Sequence, residues 1–401
     1  MLLVQKYGGT SVGDLERIHN VAKRVLESKK PHDKVVVVVS AMSGETDKLL
    51  GYALHFDPLP DPREVDMILS SGERVTSALL AIALQTMGAR AISLSGRNAG
   101  IYTDSNHTKA HIEYIDTARI HALLDEGFIV IVAGFQGVDS KGDVTTLGRG
   151  GSDLSAVALA GALQADLCEI YTDVEGVFTT DPRIEPRAKK IDRISYDEML
   201  ELASMGAKVL LNRSVELAKK LGVDLITRST FSKDPGTLIT KEENIMEQPI
   251  ISGIALDKNQ ARVSMVGVED KPGIASEIFG KLAEANISVD MIVQTNGYDG
   301  KTDLDFTIPK TELELAKNVL GGFCGSVEKI DYDNNSAKVS IVGVGMKSHT
   351  GVASKVFGTL AKEHINIMRI STSEIKISLL IDIKYAELAI RSLHHVFELD
   401  A

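Results

Sequence analysis

The sequence predicts an α/β protein: a largely parallel sheet sandwiched by helices, followed by two smaller βαββαβ units. Three observations carry this reading. The first 230 or so residues alternate short apolar runs with amphipathic stretches. One run, Val35-Val36-Val37-Val38-Val39, is apolar throughout, as a strand covered on both faces requires. The last third of the chain repeats itself segment by segment.

In order, strands are expected at 2–6, 34–40, 90–95, 128–133, 167–172 and 223–227. Helices are expected at 14–28, 64–87, 117–126, 152–164 and 205–221. In the second helix Val75, Leu79, Leu80, Ile82, Ala83, Leu84 and Met87 form a broad apolar face. Around 232–249 the pattern gives way to Ser232-Lys233-Asp234-Pro235-Gly236 turn chemistry and the polar run Lys241-Glu242-Glu243-Asn244. A boundary there separates a first domain, 1–240, from a C-terminal region, 250–401.

In that region Arg262–Val268 matches Lys338–Val344, Gly273–Ala283 matches Gly351–Ala361, and Asn286–Val289 matches His364–Ile367. Each copy reads strand, glycine turn, helix, strand, in the manner of a ferredoxin-like unit. The second copy runs short of chain for its fourth strand, whereas Ile250–Leu256 is a strand without a unit. The first unit, about 262–333, is therefore expected to be inserted into the second, about 250–261 plus 337–401; a short final strand at Phe397-Glu398-Leu399 is the alternative.

The formal charge of −11 over 401 residues argues against non-specific binding to nucleic acid or a membrane surface. Two cysteines, Cys168 and Cys324, make neither a disulfide framework nor a metal spacing, and point to a reducing compartment, the cytoplasm. No signal peptide and no membrane span are expected, and the ten histidines show no ligand spacing. Two glycine loops carry the chemistry. Lys6-Tyr7-Gly8-Gly9-Thr10-Ser11 puts a cation and permissive backbone at a strand end, which suits either a phosphate nest or a plain strand-to-helix turn. Gly148-Arg149-Gly150-Gly151-Ser152-Asp153 offers an uncrowded guanidinium for a carboxylate at a helix start, with Ser152 as the expected cap and Asp153 answering the helix dipole.

Ser40 and Thr46 follow the valine strand as hydroxyls for a polar substrate or as turn residues. Glu73 is either a solvated surface carboxylate or the partner of a substrate ammonium. The stretch from Thr172 to Arg183 leaves a strand end and stays loop-like, the form of many functional loops. Lys208, read alone, is a helix-surface lysine.

Together, Lys6 to Ser11, Gly148 to Asp153, Thr172 to Arg183 and the tandem repeat resemble the aspartate kinases of the amino acid kinase family, with paired C-terminal ACT domains. The resemblance implies transfer of a phosphoryl group from ATP, with Mg²⁺ on the nucleotide, to the side-chain carboxylate of L-aspartate. It implies Lys6, Arg149 and Asp153 as catalytic residues, and Ser40, Thr46, Glu73, Arg149 and Ser152 around aspartate. For the nucleotide it implies Lys6, Tyr7, Gly8, Gly9, Thr172, Asp173, Phe178, Asp181, Arg183 and Lys208.

Phe178 stands where the family often has Tyr, and Leu211-Asn212 departs from a common His-Pro form. ACT pairing implies lysine or threonine as effectors and a homodimer or an α₂β₂ assembly. The implied effector contacts are Asp270, Pro272, Gly273, Ile274, Ala275, Asn286, Gln294, Thr350 and Val352. An internal start at Met246 would give a separate regulatory subunit. A carboxylate, with a usual pKa of about 3.9, is already a nucleophile at neutral pH, so no general base is required. Two other readings stay open: an amino-acid sensor with an inactive kinase domain, and a kinase of glutamate or a related acid.

Overall fold

The computed structural model describes residues 1–204, 210–245, 249–296, 300–323, 326–347 and 349–400. They fall into two compact units, one of 1–177, 190–204 and 210–245, the other of 178–189 and 249–400.

In chain order the first unit begins with β1 (Leu2–Tyr7), α1 (Leu15–Ser28), β2 (Lys34–Val39), α2 (Glu45–Phe56) and α3 (Pro62–Thr86). It continues with β3 (Ala91–Leu94), β4 (Ile101–Thr103), β5 (Ile112–Ile115), α4 (Ala118–Asp125), β6 (Ile129–Ala133), β7 (Gln136–Val138) and β8 (Val144–Thr146). Then come α5 (Gly151–Ala162), β9 (Leu167–Thr172), β10 (Arg193–Ser195), α6 (Tyr196–Ser204), α7 (Asn212–Leu221), β11 (Leu225–Ser229) and β12 (Thr237–Thr240).

The main sheet runs β10-β12-β11-β9-β1-β2-β6-β3. Every neighbouring pair from β11 to β3 is parallel, and β12 runs antiparallel to β11. β2 lies between β1 and β6, and Val35–Val39 are fully buried, which is why the run needs no polar alternation. One core gathers Val35, Val37 and Val39 with Ile18, Val21 and Val25 of α1 and Leu80 and Leu84 of α3. α5 packs on β1, β2 and β9. The carboxyl ends of β9, β1 and β2 therefore lie side by side, the place where parallel sheets bind ligands.

A second sheet, β5-β4-β7-β8, was not foreseen; strands of three or four residues carry too little periodicity to be read. The helix expected at 205–221 begins at Asn212 after an extended Leu211, and 205–209 lie outside the described residues. The apolar face expected on α3 is also narrower. Val75 and Ile82 are 50% and 56% exposed, and the buried side carries Asp66, Ser70, Glu73 and Thr76 beside Leu69, Leu80 and Leu84. By length and composition alone α3 could cross a membrane, but here half of its most apolar stretch is buried within the protein.

The second unit contains β13 (Gly253–Glu269), α8 (Ile274–Glu284), β14 (Asp290–Asn296), β15 (Lys301–Pro309) and α9 (Leu313–Leu320). It ends with β16 (Lys329–Val342), α10 (Val352–Lys362), β17 (Ile367–Thr372), β18 (Lys376–Asp382) and α11 (Ala386–Val396). One antiparallel sheet, β14-β15-β13-β16-β18-β17, joins them. β13 and β16 are long because each serves two halves. Gly253–Asp257 pair with Lys338–Val342, and Arg262–Val266 pair with Lys329–Asp333. One core packs Val263, Met265 and Phe306 under α8 and α9, the other Val339, Ile341 and Leu379 under α10 and α11. Phe397–Leu399 form turns rather than a strand. The repeat persists in the backbone. Gly273 and Gly351 open α8 and α10 at φ of 98° and 91°, and Asn286 and His364 follow them at 57° and 56°.

Candidate active site

β1 delivers Lys6 to its carboxyl end. The lysine is 8% exposed, and its Nζ lies 2.5 Å from Oδ1 of Asp153, in the first turn of α5. Burial of both groups makes this pair a fixed feature of the strand ends. A Cβ on Gly8 would stand 3.4 Å from Lys6 Nζ, and one on Gly9 would stand 3.0 Å from the Ala41 carbonyl. Neither glycine has positive φ, contrary to the expectation; the loop needs them for close approach instead. Gly8 N–H donates to the Tyr171 carbonyl at 3.2 Å, so its amide is committed to the protein. The amides of Gly9 and Thr10 have no partner among the described residues.

Tyr7 corrects a sequence expectation. Its ring is fully buried and stacks on Tyr171 at 4.5 Å, and burial raises its hydroxyl pKa well above the usual value. It is a foundation under the loop, with no side chain free for a nucleotide. The reason is alternation along β1: Lys6 faces α5 and Tyr7 faces the core shared with α1.

Gly148 and Gly150 adopt φ of 77° and 67°, and Arg149 between them is exposed. The N-cap of α5 is Gly150 with no side-chain cap bond, so Ser152 is not the cap. A Cβ on Gly134 would lie 3.0 Å from Cβ of Ser152, which sits in the first turn of α5 and is almost buried. Arg213 holds this loop from behind, donating to the carbonyls of Leu147 at 2.9 Å and Ala110 at 3.0 Å.

Glu73 is not a surface carboxylate. It is 3% exposed, and the absence of a side chain on Gly72 lets α3 approach Ala41. Oε1 accepts the Ala41 N–H at 3.1 Å, whereas buried Oε2 has no partner among the described residues. Burial pushes this carboxyl up to about 7. Ser40, the chain neighbour of Ala41, is half-buried and its N–H donates to the Tyr7 carbonyl, and Thr46 lies half-buried in the first turn of α2.

Thr172 ends β9, and its hydroxyl donates to exposed Asp173 at 3.1 Å. Phe178, Asp181 and Arg183 belong to the second unit. There Arg183 donates to both carboxylate oxygens of Asp181, and this hydrogen bonding lowers the Asp181 pKa. Lys208 and Met246 lie outside the described residues. Sequence reasoning missed Ser11 as a separate participant and Thr230 altogether: their hydroxyls are 2.6 Å apart.

Of the implied effector residues, Asp270, Pro272, Gly273, Asn286, Gln294 and Thr350 are exposed, and Ile274 and Ala275 are half-buried at the start of α8. Val352 is the exception. Its side chain is buried in the core under α10, because the matched helix turns that position inward.

The amino acid kinase family matches residues 1–227, and the ACT domain matches 263–321 and 339–397. The aspartokinase of Helicobacter pylori strain J99 is 68% identical over the full length of both chains. The chain belongs to the aspartokinases of the amino acid kinase family. Escherichia coli aspartokinase III in complex with aspartate and ADP has a similar structure, with a TM-score of 0.82 at 26% identity over 99% of each chain. The same enzyme in complex with lysine and aspartate gives 0.81 at 27% identity, again over 99% of each. Aspartokinase function, the first step of the aspartate pathway, and nucleotide binding follow from these likenesses.

Proposed function

We propose that the chain transfers the γ-phosphoryl group of ATP to the side-chain carboxylate of L-aspartate, giving 4-phospho-L-aspartate and ADP. The observation that carries this reading is Glu73, a buried carboxylate with one oxygen unpartnered among the described residues. Such a group fits a substrate ammonium, which would satisfy the oxygen and restore the charge that burial disfavours.

Arg149, on an uncrowded glycine loop, suits the α-carboxylate, with Ser152, Ser40 and Thr46 as hydroxyl contacts. The side-chain carboxylate is then the nucleophile without a base. Lys6 and the amides of Gly9 and Thr10 fit the phosphates, and Asp153 holds Lys6 in place. Thr172 and Asp173 fit the nucleotide from the end of β9, with Phe178, Asp181, Arg183 and Lys208 as further contacts by resemblance. The donor set suits a nucleotide that brings its own Mg²⁺, an ion that lowers the charge on the phosphates.

We further infer that the ACT halves bind lysine, threonine or both at the loops opening α8 and α10. Lysine in the complex of the E. coli enzyme supports this. The domain division 1–240 and 250–401, with the first ACT unit inserted in the second, belongs to the same reading. So do a homodimer or α₂β₂ assembly and the cytoplasm as compartment. The test is Mg²⁺- and ATP-dependent ADP release with L-aspartate against L-glutamate, with the acyl phosphate trapped by hydroxylamine, while lysine and threonine are titrated. Turnover and trapping with aspartate alone are expected. Lysine or threonine binding without turnover on either acid would favour the sensor reading.

A further inference from the structure

The loop after β1 does not end on its own strand. It passes over the carboxyl end of β9 and is fastened on the far side. β9 lies between β1 and β11 in the sheet, and the fastening runs across it. Gly8 N–H donates to the Tyr171 carbonyl at 3.2 Å, and Thr230 N–H donates to the Thr172 carbonyl at 2.8 Å. Above these, the hydroxyls of Ser11 and Thr230 meet at 2.6 Å, a contact between residues 219 apart in sequence. Ser11 is fully buried, and its amide closes the turn on the Gly8 carbonyl at 2.9 Å.

Thr230 is itself immobilised. It follows β11 directly, and Arg24 of α1 donates to the carbonyls of Thr230 at 2.9 Å and Ser232 at 2.7 Å. Arg24 also lies over the Tyr171 ring, 5.0 Å from its centroid. The next arginine down α1, Arg17, donates to the Thr10 carbonyl at 2.7 Å and covers Phe231 at 5.5 Å. The loop segment Gly8–Ser11 is thus tied at Gly8 to the end of β9 and at Ser11 to Thr230, and within it only Gly9 and Thr10 keep their amides free of protein partners among the described residues.

We propose that Thr230 is a positioning residue for phosphoryl transfer, its hydroxyl holding Ser11 so that the Gly9 and Thr10 amides stand at a fixed place over the end of β9. This rests on the reading that the Lys6 loop takes the nucleotide phosphates. A hydroxyl pair suits the task, because each group can donate to the other without a charge that would compete for phosphate. A displacement of about 1 Å at such donors costs on the order of 100-fold in rate.

The test compares Thr230→Val, which keeps the shape and removes the hydroxyl, with Thr230→Ser, which restores it. In the full-length chain Thr230→Val is expected to lower kcat by roughly 10- to 100-fold. It should weaken MgADP binding, measured by calorimetry, several-fold and leave the KM for aspartate within about twofold. Thr230→Ser should return close to the parent. Wild-type kcat and MgADP affinity in Thr230→Val, with only a lower melting temperature, would overturn the proposal. If Thr230→Val fails to fold, Ser11→Ala removes the same bond from the loop side and decides instead. Lys6→Ala separates the two levels. Normal turnover there overturns the phosphate-loop reading and the proposal with it. Lost turnover in Lys6→Ala beside normal Thr230→Val overturns the role of Thr230 alone.

Discussion

Lys6 Nζ and Asp153 Oδ1 stand 2.5 Å apart across the ends of β1 and α5, both largely shielded from water. A lysine so held presents its charge without reorganisation, which is where electrostatic catalysis gains most. Lys6→Ala is expected to lower kcat by roughly 100- to 1,000-fold with the KM for aspartate changed by less than about threefold. Normal turnover with a raised aspartate KM would remove Lys6 from the phosphate side.

Glu73 gives a pH dependence with a definite sign. Its carboxyl is pushed by burial from 4.5 to about 7 in the folded chain. The folded state therefore holds this proton more tightly than the unfolded state. Stability from this group falls as pH rises from 4.5 to about 7, and the full penalty is present above that. The gap corresponds to about 3 kcal/mol at most. Glu73→Gln should thus be more stable than the parent at pH 8 by about 1–3 kcal/mol in urea unfolding, with the gain vanishing towards pH 4. Aspartate binding should move the other way: the ammonium requires the ionised form, so the KM for aspartate should rise as pH drops below about 7. A flat KM from pH 8 to 5.5 would separate Glu73 from the substrate.

The glycine loops were legible as loops, because paired glycines at the end of an apolar run break its pattern. The two ferredoxin-like halves of the second unit were legible in the repeat, but the single sheet that joins them was not, because a strand's own pattern does not show which half it pairs with. The burial of Glu73 was not legible, since only the approach of Gly72 to Ala41 buries it, and no local pattern encodes a contact across 32 residues. Tyr7 was misread for the opposite reason: membership of a motif does not say which face of β1 a side chain takes. Thr230 went unseen because its partner Ser11 is two strands away in the sheet.

Gly150 tests the Arg149 loop by sterics. A Cβ there would lie 1.7 Å from Leu211 Cδ1, on a backbone with φ of 67°. Gly88 has a similar φ of 85° and open space around it. Both Gly→Ala changes should cost about 1–2 kcal/mol from the left-handed backbone. Only Gly150→Ala should also displace the guanidinium, raising the KM for aspartate at least about tenfold. Equal KM values in the two variants would detach Arg149 from the substrate.

In the second unit Arg369 of β17 reaches Asp305 of β15, with its Nη2 2.5 Å from Oδ2. The Asp305 side chain is 6% exposed, and Oδ1 has no hydrogen-bond partner among the described residues. The pair joins the two halves of the sheet, because β15 belongs to the α8–α9 half and β17 to the α10–α11 half. Arg369→Met leaves a buried charge without its partner and should cost about 2–4 kcal/mol in urea unfolding, discounted for the part of Arg369 that meets solvent. Adding Asp305→Leu removes that stranded charge, so the double variant should regain most of the loss. A double variant no more stable than Arg369→Met would mean that a stranded Asp305 charge does not account for the loss.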